Sequence, residues 1–192
     1  MDIQEVKIKI LEATIVVFNR KGLKFTMDDI AHELLMSKKT IYTVFRDKES
    51  MFYAMVDYCF DTIKDSEEAI LKDPSLNTKE RLQKLLGVLP EGYREIDFRQ
   101  LYLLKDKYPR IYQKVEQRLE NGWEKTIALI EQGIREGVFR EIRIPILKTM
   151  FEATLEQFFQ RNILMDNGIT YHEALEEVVT ILMEGILKNN MN

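Results

Sequence analysis

The sequence predicts an all-α protein, and three features of its 192 residues carry that prediction. Apolar residues recur at helical spacing along most of the chain. The eight Gly and four Pro are few for this length and lie at the edges of the periodic stretches. Ser, Thr, Asp and Asn stand just ahead of several stretches, where a side-chain oxygen can accept from the free N–H groups of a first turn.

Ile10, Ala13, Thr14, Val17 and Phe18 form the stripe of a first amphipathic helix, and Gly22 sits where its C-terminus belongs. Thr26 caps a second helix with Asp29 as its acidic third residue, Phe25 stapling onto Ile30, and Met27, Ile30, Ala31 and Leu34 as inward positions. Ser37 caps a third helix from Lys38 to Phe45 after a turn of about three residues. Asp47 caps a fourth, from about Lys48 to Leu71, with Phe52, Met55, Val56, Phe60 and Ile63 as its stripe and Asp73-Pro74 as its stop. Asn77 and Glu80 form a capping box for a helix to about Leu89, where Pro90-Glu91-Gly92 breaks the chain. Phe98, Leu101, Tyr102 and Lys105 mark a further helix. Tyr108-Pro109 then turns into one long helix carrying Tyr112, Val115, Leu119, Trp123, Ile127, Ile130 and Ile134, ended by Gly137. Pro145 opens the penultimate helix, and Thr170 with Glu173 caps the last.

Composition removes several function classes. Cys59 is the sole cysteine, so a disulfide framework is impossible, and two His with one Cys are too few for a structural zinc site. No stretch reaches the roughly 18 apolar residues of a membrane span. Glu5 and Glu12 fall where a signal peptide is uncharged, so a cytoplasmic location is expected. No glycine-rich phosphate loop, His-Glu-x-x-His, Glu-x-x-His pair or nucleophile motif is present; neither an enzyme nor a cofactor is expected.

Net charge is −4, which alone argues against binding nucleic acid, but its distribution reverses that argument. Residues 20 to 48 carry seven basic and four acidic side chains, whereas residues 51 to 192 are acidic overall. The basic segment holds the second and third helices, two brief helices joined by a tight turn, which is the helix-turn-helix arrangement that reads a DNA major groove. Advancing about 100° per residue with Ile41 inward, and Val44, Phe45 and Ser37 beside it, turns Lys39 and Thr43 outward. Thr40 and Tyr42 flank them and Lys38 lies at the edge. Such a face can enter a groove: Lys donates to guanine O6 and N7, Thr bonds or touches a thymine methyl, and the Tyr hydroxyl reaches a backbone oxygen. Thr26 and Ser37 mark helix N-termini that offer N–H groups to phosphate.

The run Ile10-Leu11-Glu12-Ala13, with Phe18 and Gly22, then Thr26-Met27-Asp28-Asp29-Ile30-Ala31, then Ser37 through Glu49, resembles the DNA-binding domain of the TetR family of transcriptional regulators over roughly residues 3 to 60. The resemblance implies that Thr26, the stretch Ser37, Lys38, Lys39, Thr40, Tyr42 and Thr43, and Lys48 meet the operator, mostly through phosphates. The family's turn carries Gly where this chain has Leu35, which predicts a strained left-handed Leu at a cost on the order of 1 kcal/mol. Val44 stands where many relatives have a polar or aromatic residue. His32 and His172 are expected on the surface, and Cys59 as a buried, inert thiol.

Two domains are expected: residues 1–48, carrying the helix-turn-helix, and residues 49–192, a helical domain for ligand binding and dimerisation. Met55, Cys59, Phe60, Tyr93, Phe98, Tyr102, Tyr112, Trp123 and Phe151 suit an apolar cavity or an ordinary core equally well, because both give the same helical stripe. The resemblance favours the cavity, whose small-molecule effector would release the protein from DNA. The last two helices are apolar over more than half their circumference. Phe151, Leu155, Phe158, Phe159, Leu175, Val178, Val179, Leu182, Met183 and Ile186 therefore form the expected interface of a homodimeric four-helix bundle. Such a dimer presents two recognition helices to a pseudo-palindrome in double-stranded DNA. A helical protein-interaction adaptor is one rival reading, and it leaves the outward polar face of the third helix unexplained; a regulator of the resembling kind that acts as an activator, or without a small-molecule ligand, is the other.

Overall fold

The chain, described here by a computed structural model over residues 2–94, 100 and 103–188, is built of helices with one isolated antiparallel bridge between Phe139 and Leu187. α1 (Ile3–Lys21) begins in a capping box between Asp2 and Glu5 and ends at Gly22 with φ +54°. A short 3-10 turn, Gly22–Lys24, leads to α2 (Met27–Glu33), opened by the capping box of Thr26 and Asp29. α3 (Lys38–Val44) starts at Ser37, whose hydroxyl accepts from Thr40 N–H at 3.1 Å. Asp47 starts α4 (Lys48–Lys72), and Asn77 with Glu80 starts α5 (Thr78–Leu86).

A single turn, α6 (Leu104–Lys107), precedes α7 (Pro109–Glu120), and α8 (Glu124–Arg135) follows. The one long helix expected across this stretch is thus two. Gly122 separates them with φ +89°, a backbone state that helices exclude and that Gly adopts without steric cost. The space beside it is filled by Lys64, whose Nζ donates to the Gly122 carbonyl at 3.2 Å, so a Cβ at this position would meet the ammonium. α9 (Ile144–Gln160), the one-turn α10 (Ile163–Asp166) and α11 (Tyr171–Ile186, capped by Thr170 and Glu173) complete the chain.

Two cores form. The first joins Ile10, Val17 and Phe18 of α1 to Ile30, Ile41 and Phe45, and runs on through Phe52 and Met55 of α4 to Ile111 and Val115 of α7, so it continues across residue 48. The second gathers Leu82 and Leu86 of α5, Leu129 and Ile130 of α8, Phe151 of α9 and Leu175, Val179 and Met183 of α11.

This second core corrects the expected division of the last two helices. Phe151, Phe159, Leu175, Val179, Met183 and Ile186 are buried within the protomer, all but Phe159 in the core that α9 and α11 share with α5 and α8. Leu155, Phe158, Val178 and Leu182 are half-buried. The apolar surface left outside is carried by Ile146 and Met150 of α9 and Ile181 of α11, which are 57, 54 and 59 % exposed.

Candidate nucleic-acid interface and effector cavity

Both sites follow from how short helices are held. α2 is closed by Leu35 N–H donating to His32 O at 3.2 Å and Met36 N–H to Ala31 O at 2.9 Å. To make that turn Leu35 takes φ +52°, the only positive φ outside glycine among the described residues, and its side chain is 91 % exposed. The strained position expected from sequence is therefore present, and no burial offsets it.

On α3, Ile41 and Phe45 are buried and anchor the helix, while Lys38, Lys39, Tyr42 and Thr43 are exposed and Thr40 is half-exposed. Ser37, expected beside Ile41, is instead exposed at the helix start. Its hydroxyl lies 2.8 Å from that of Thr40, and the Thr43 hydroxyl donates to Thr40 O at 2.6 Å. Lys38 is tied across the turn to Asp28 at 2.7 Å, a hydrogen bond that raises its pKa. Lys39 has no ion pair among the described residues and Tyr42 is 46 % exposed, so these two are the groups least engaged by the protein itself.

Thr26 is exposed with its hydroxyl in the cap, donating to Asp29 at 2.9 Å. Lys48 behaves differently from the rest. Its ammonium turns inward, donating to Leu23 O at 2.8 Å and to Phe25 O, and sits over the Phe25 ring. Burial, aided by the charge of Lys107, pushes it down to about 8, so it stays largely protonated at neutral pH. The phosphate contact implied for Lys48 requires it to leave these carbonyls.

Between the two cores lies a cavity of about 460 Å³. Met55, Cys59, Phe60, Tyr93, Tyr112, Trp123 and Phe151 line it, so the structure brings together seven of the nine residues singled out, while Phe98 and Tyr102 lie outside the described residues. Ile15 and Phe18 of α1 line it as well, and Phe18 packs against Phe25 and Phe52 with ring centroids 6.4 and 5.3 Å apart. The cavity thus shares a wall with the helix-turn-helix. Burial pushes the Cys59 thiol up to about 12, which keeps it a protonated, unreactive group in the wall. His172 is half-buried, with Nδ1 unpartnered and Nε2 3.5 Å from Glu176, and His32 is exposed. Among the described residues no group of His, Cys, Asp and Glu could hold a metal ion, and no helix is long and apolar enough to cross a membrane.

Sequence reasoning missed the charged part of the cavity lining, which includes Lys64, Glu67, Glu116, Arg118, Glu120, Glu152 and Glu156. Their spacing reads as solvated helix faces, and only the packing of α4, α7 and α9 around the cavity brings them together.

Comparison with known proteins agrees with this arrangement. Residues 10–55 match the family described as bacterial regulatory proteins, tetR family. Over 178 residues, 93 % of this chain and 94 % of the relative, the sequence is 26 % identical to the uncharacterized HTH-type transcriptional regulator YvaF of Bacillus subtilis (strain 168). A TetR transcription regulator from Haloarcula marismortui ATCC 43049 shares the fold with a TM-score of 0.77 at 18 % identity, over 96 % of this chain and 100 % of that one. The transcriptional regulator FadR from Bacillus subtilis, solved in complex with stearoyl-CoA, shares it with a TM-score of 0.63 at 20 % identity, over 93 % and 98 %. Residues 10–55 thus carry the DNA-binding domain of the bacterial regulatory proteins of the tetR family, and over nearly its whole length the chain is similar to an HTH-type transcriptional regulator.

Proposed function

We propose that the protein is a homodimeric repressor that reads a pseudo-palindromic operator through α3 and is released when a small apolar or aromatic effector fills the cavity. The observation that carries this reading is the shared wall: Phe18 lines the cavity and also packs on Phe25, the residue leading into the capped start of α2. A ligand that displaces Phe18 acts directly on the seating of the DNA-binding helices, which is the differential contact that coupling between two sites requires. The FadR relative holds stearoyl-CoA, in keeping with an effector cavity in this fold. Dimerisation would use the outer faces of α9 and α11, where Ile146, Met150 and Ile181 stand exposed. A closed two-fold interface is self-complementary, and it spaces two copies of α3 by one helical turn of DNA or a multiple of it.

Selection of bound duplexes from a random pool tests the reading. Enrichment of a two-fold symmetric sequence, bound with an affinity that falls steeply as salt rises, is the expected result. Recovery of no preferred sequence overturns it.

A further inference from the structure

We infer that the cavity takes a lipophilic cation, an aromatic or aliphatic body carrying a positive centre, and rejects anions of the same shape. The inference deepens the effector reading above and rests on it. The charged residues lining the cavity are five carboxylates, Glu67, Glu116, Glu120, Glu152 and Glu156, and two cations, Lys64 and Arg118.

Both cations are already engaged: Lys64 Nζ lies 2.7 Å from Glu67, and Arg118 lies 2.6 Å from Asp61 and 3.6 Å from Asp57. Lys148, a neighbouring cation, lies 3.5 Å from Glu152. Glu116 and Glu120 have no ion pair among the described residues, and Glu156 has a neutral partner in Gln160 at 2.5 Å. The lining therefore keeps an uncompensated negative charge beside apolar walls, and a low-dielectric surface of one sign of charge attracts the opposite ion.

The walls point the same way. Eight lining residues are aromatic, and the faces of such rings attract cations. The protein's own side chains use them so: Arg118 lies 5.4 Å from the centroid of Phe60, Lys148 5.8 Å from Trp123 and Lys105 5.9 Å from Tyr112, all three rings belonging to the cavity. A positive centre entering the chamber meets ring faces and free carboxylates, whereas an anion meets no cation that is not already paired.

Trp123 is the sole tryptophan and lines the cavity, so its fluorescence reports occupancy directly. The full chain is titrated with tetraphenylphosphonium and with tetraphenylborate, ions of matched shape and opposite charge, and with stearoyl-CoA. The phosphonium is expected to bind at least tenfold more tightly than the borate. The double variant Glu120→Gln, Glu156→Gln is expected to reduce that ratio at least threefold, with Glu177→Gln, on an exposed position of α11, leaving it unchanged. Equal or tighter binding of the borate, or a ratio untouched by the double variant, overturns the charge preference and leaves the effector cavity standing. A fluorescence that none of the three ligands changes overturns the cavity reading and this inference with it.

Discussion

The ammonium of Lys48 lies 3.9 Å from the centroid of the Phe25 ring and donates to the carbonyl oxygens of Leu23 and Phe25. The first turn of α4 is thereby fastened to the segment that leads into α2, so the helix forming one side of the cavity and the start of the helix-turn-helix share a clamp. Lys48→Met removes the donor from both carbonyls. Chemical denaturation is expected to show a loss of about 1 to 3 kcal/mol, the range for leaving buried acceptors unpaired. With the ammonium held inward, the slope of log affinity for DNA against log salt should match that of the unmodified protein. A slope shallower by about one unit would place Lys48 on a phosphate in the complex.

Lys39 and Tyr42 stand on the same exposed face of α3 but offer different chemistry. Lys39→Ala is expected to cost about 1 to 3 kcal/mol at one base position, because a Lys to guanine contact distinguishes bases. Tyr42→Ala should weaken all sequences alike through a lost phosphate contact. Affinities of each variant for a panel of single-base operator changes separate the two; flat losses for both variants would end this division of labour.

The helices were legible where local chemistry determines them. Thr26, Ser37, Asp47, Asn77 and Thr170 each cap the helix expected of them, because a cap is a contact between residues three apart. Long-range geometry was less so. The Gly122 break lay hidden in an unbroken apolar stripe, since α7 and α8 both present apolar residues at 3.6-residue spacing on either side of it. The faces of α9 and α11 were misallocated for a related reason: periodicity tells how much of a helix is apolar, not what covers it, and much of it lies in the core shared with α5 and α8. Lys48 illustrates the same limit on the site. The resemblance implied a phosphate contact at its position, and only the packed structure reveals two carbonyls within its reach.

Leu35 holds φ +52° while its side chain stands 91 % exposed, so its conformation is strained and its side chain contributes no burial. Leu35→Gly relieves the left-handed strain of an L-residue, about 1 to 2 kcal/mol, against about 0.5 to 1 kcal/mol of added freedom in the unfolded chain. A net gain of up to about 1 kcal/mol is expected from urea denaturation with an unchanged m-value. A destabilised variant would mean that the turn draws more from Leu35 than its exposure suggests.

Acid stability should depend on two capping carboxylates. The hydrogen bond from Lys21, with those of Thr26, holds Asp29 down to about 2, and the hydrogen bonds of Ser50, with Arg46, do the same for Asp47, both from the ordinary 3.8. In the window from about pH 4 to pH 2 the unfolded chain binds more protons than the folded one, so these groups support the fold above that window and lose their contribution as pH falls through it. Asn retains the capping oxygen but takes up no proton. The melting temperature of the double variant Asp29→Asn, Asp47→Asn should therefore fall less between pH 4 and pH 2 than that of the unmodified protein, as followed by circular dichroism. Parallel curves would locate the acid sensitivity elsewhere.

The outer faces of α9 and α11 give the last test, because there the protomer's own stability and its assembly can be separated. Met150 and Ile181 are more than half exposed, so Met150→Glu with Ile181→Glu removes little from the protomer's core. Placed in a two-fold interface, however, each substitution appears twice and buries charge without a partner, a cost that dimers rarely withstand. Sedimentation at micromolar concentration should then find the double variant monomeric, with its helical content intact and its operator affinity reduced, since half-sites are then bound singly. Leu175→Ala acts on the opposite face: Leu175 is buried among α5, α8 and α9, and its truncation should cost about 2 to 5 kcal/mol of unfolding free energy. If the charged variant remained dimeric and Leu175→Ala alone dissociated it, the interface would lie on the inner face after all, and α9 and α11 would have to part from α5 and α8 to reach a partner.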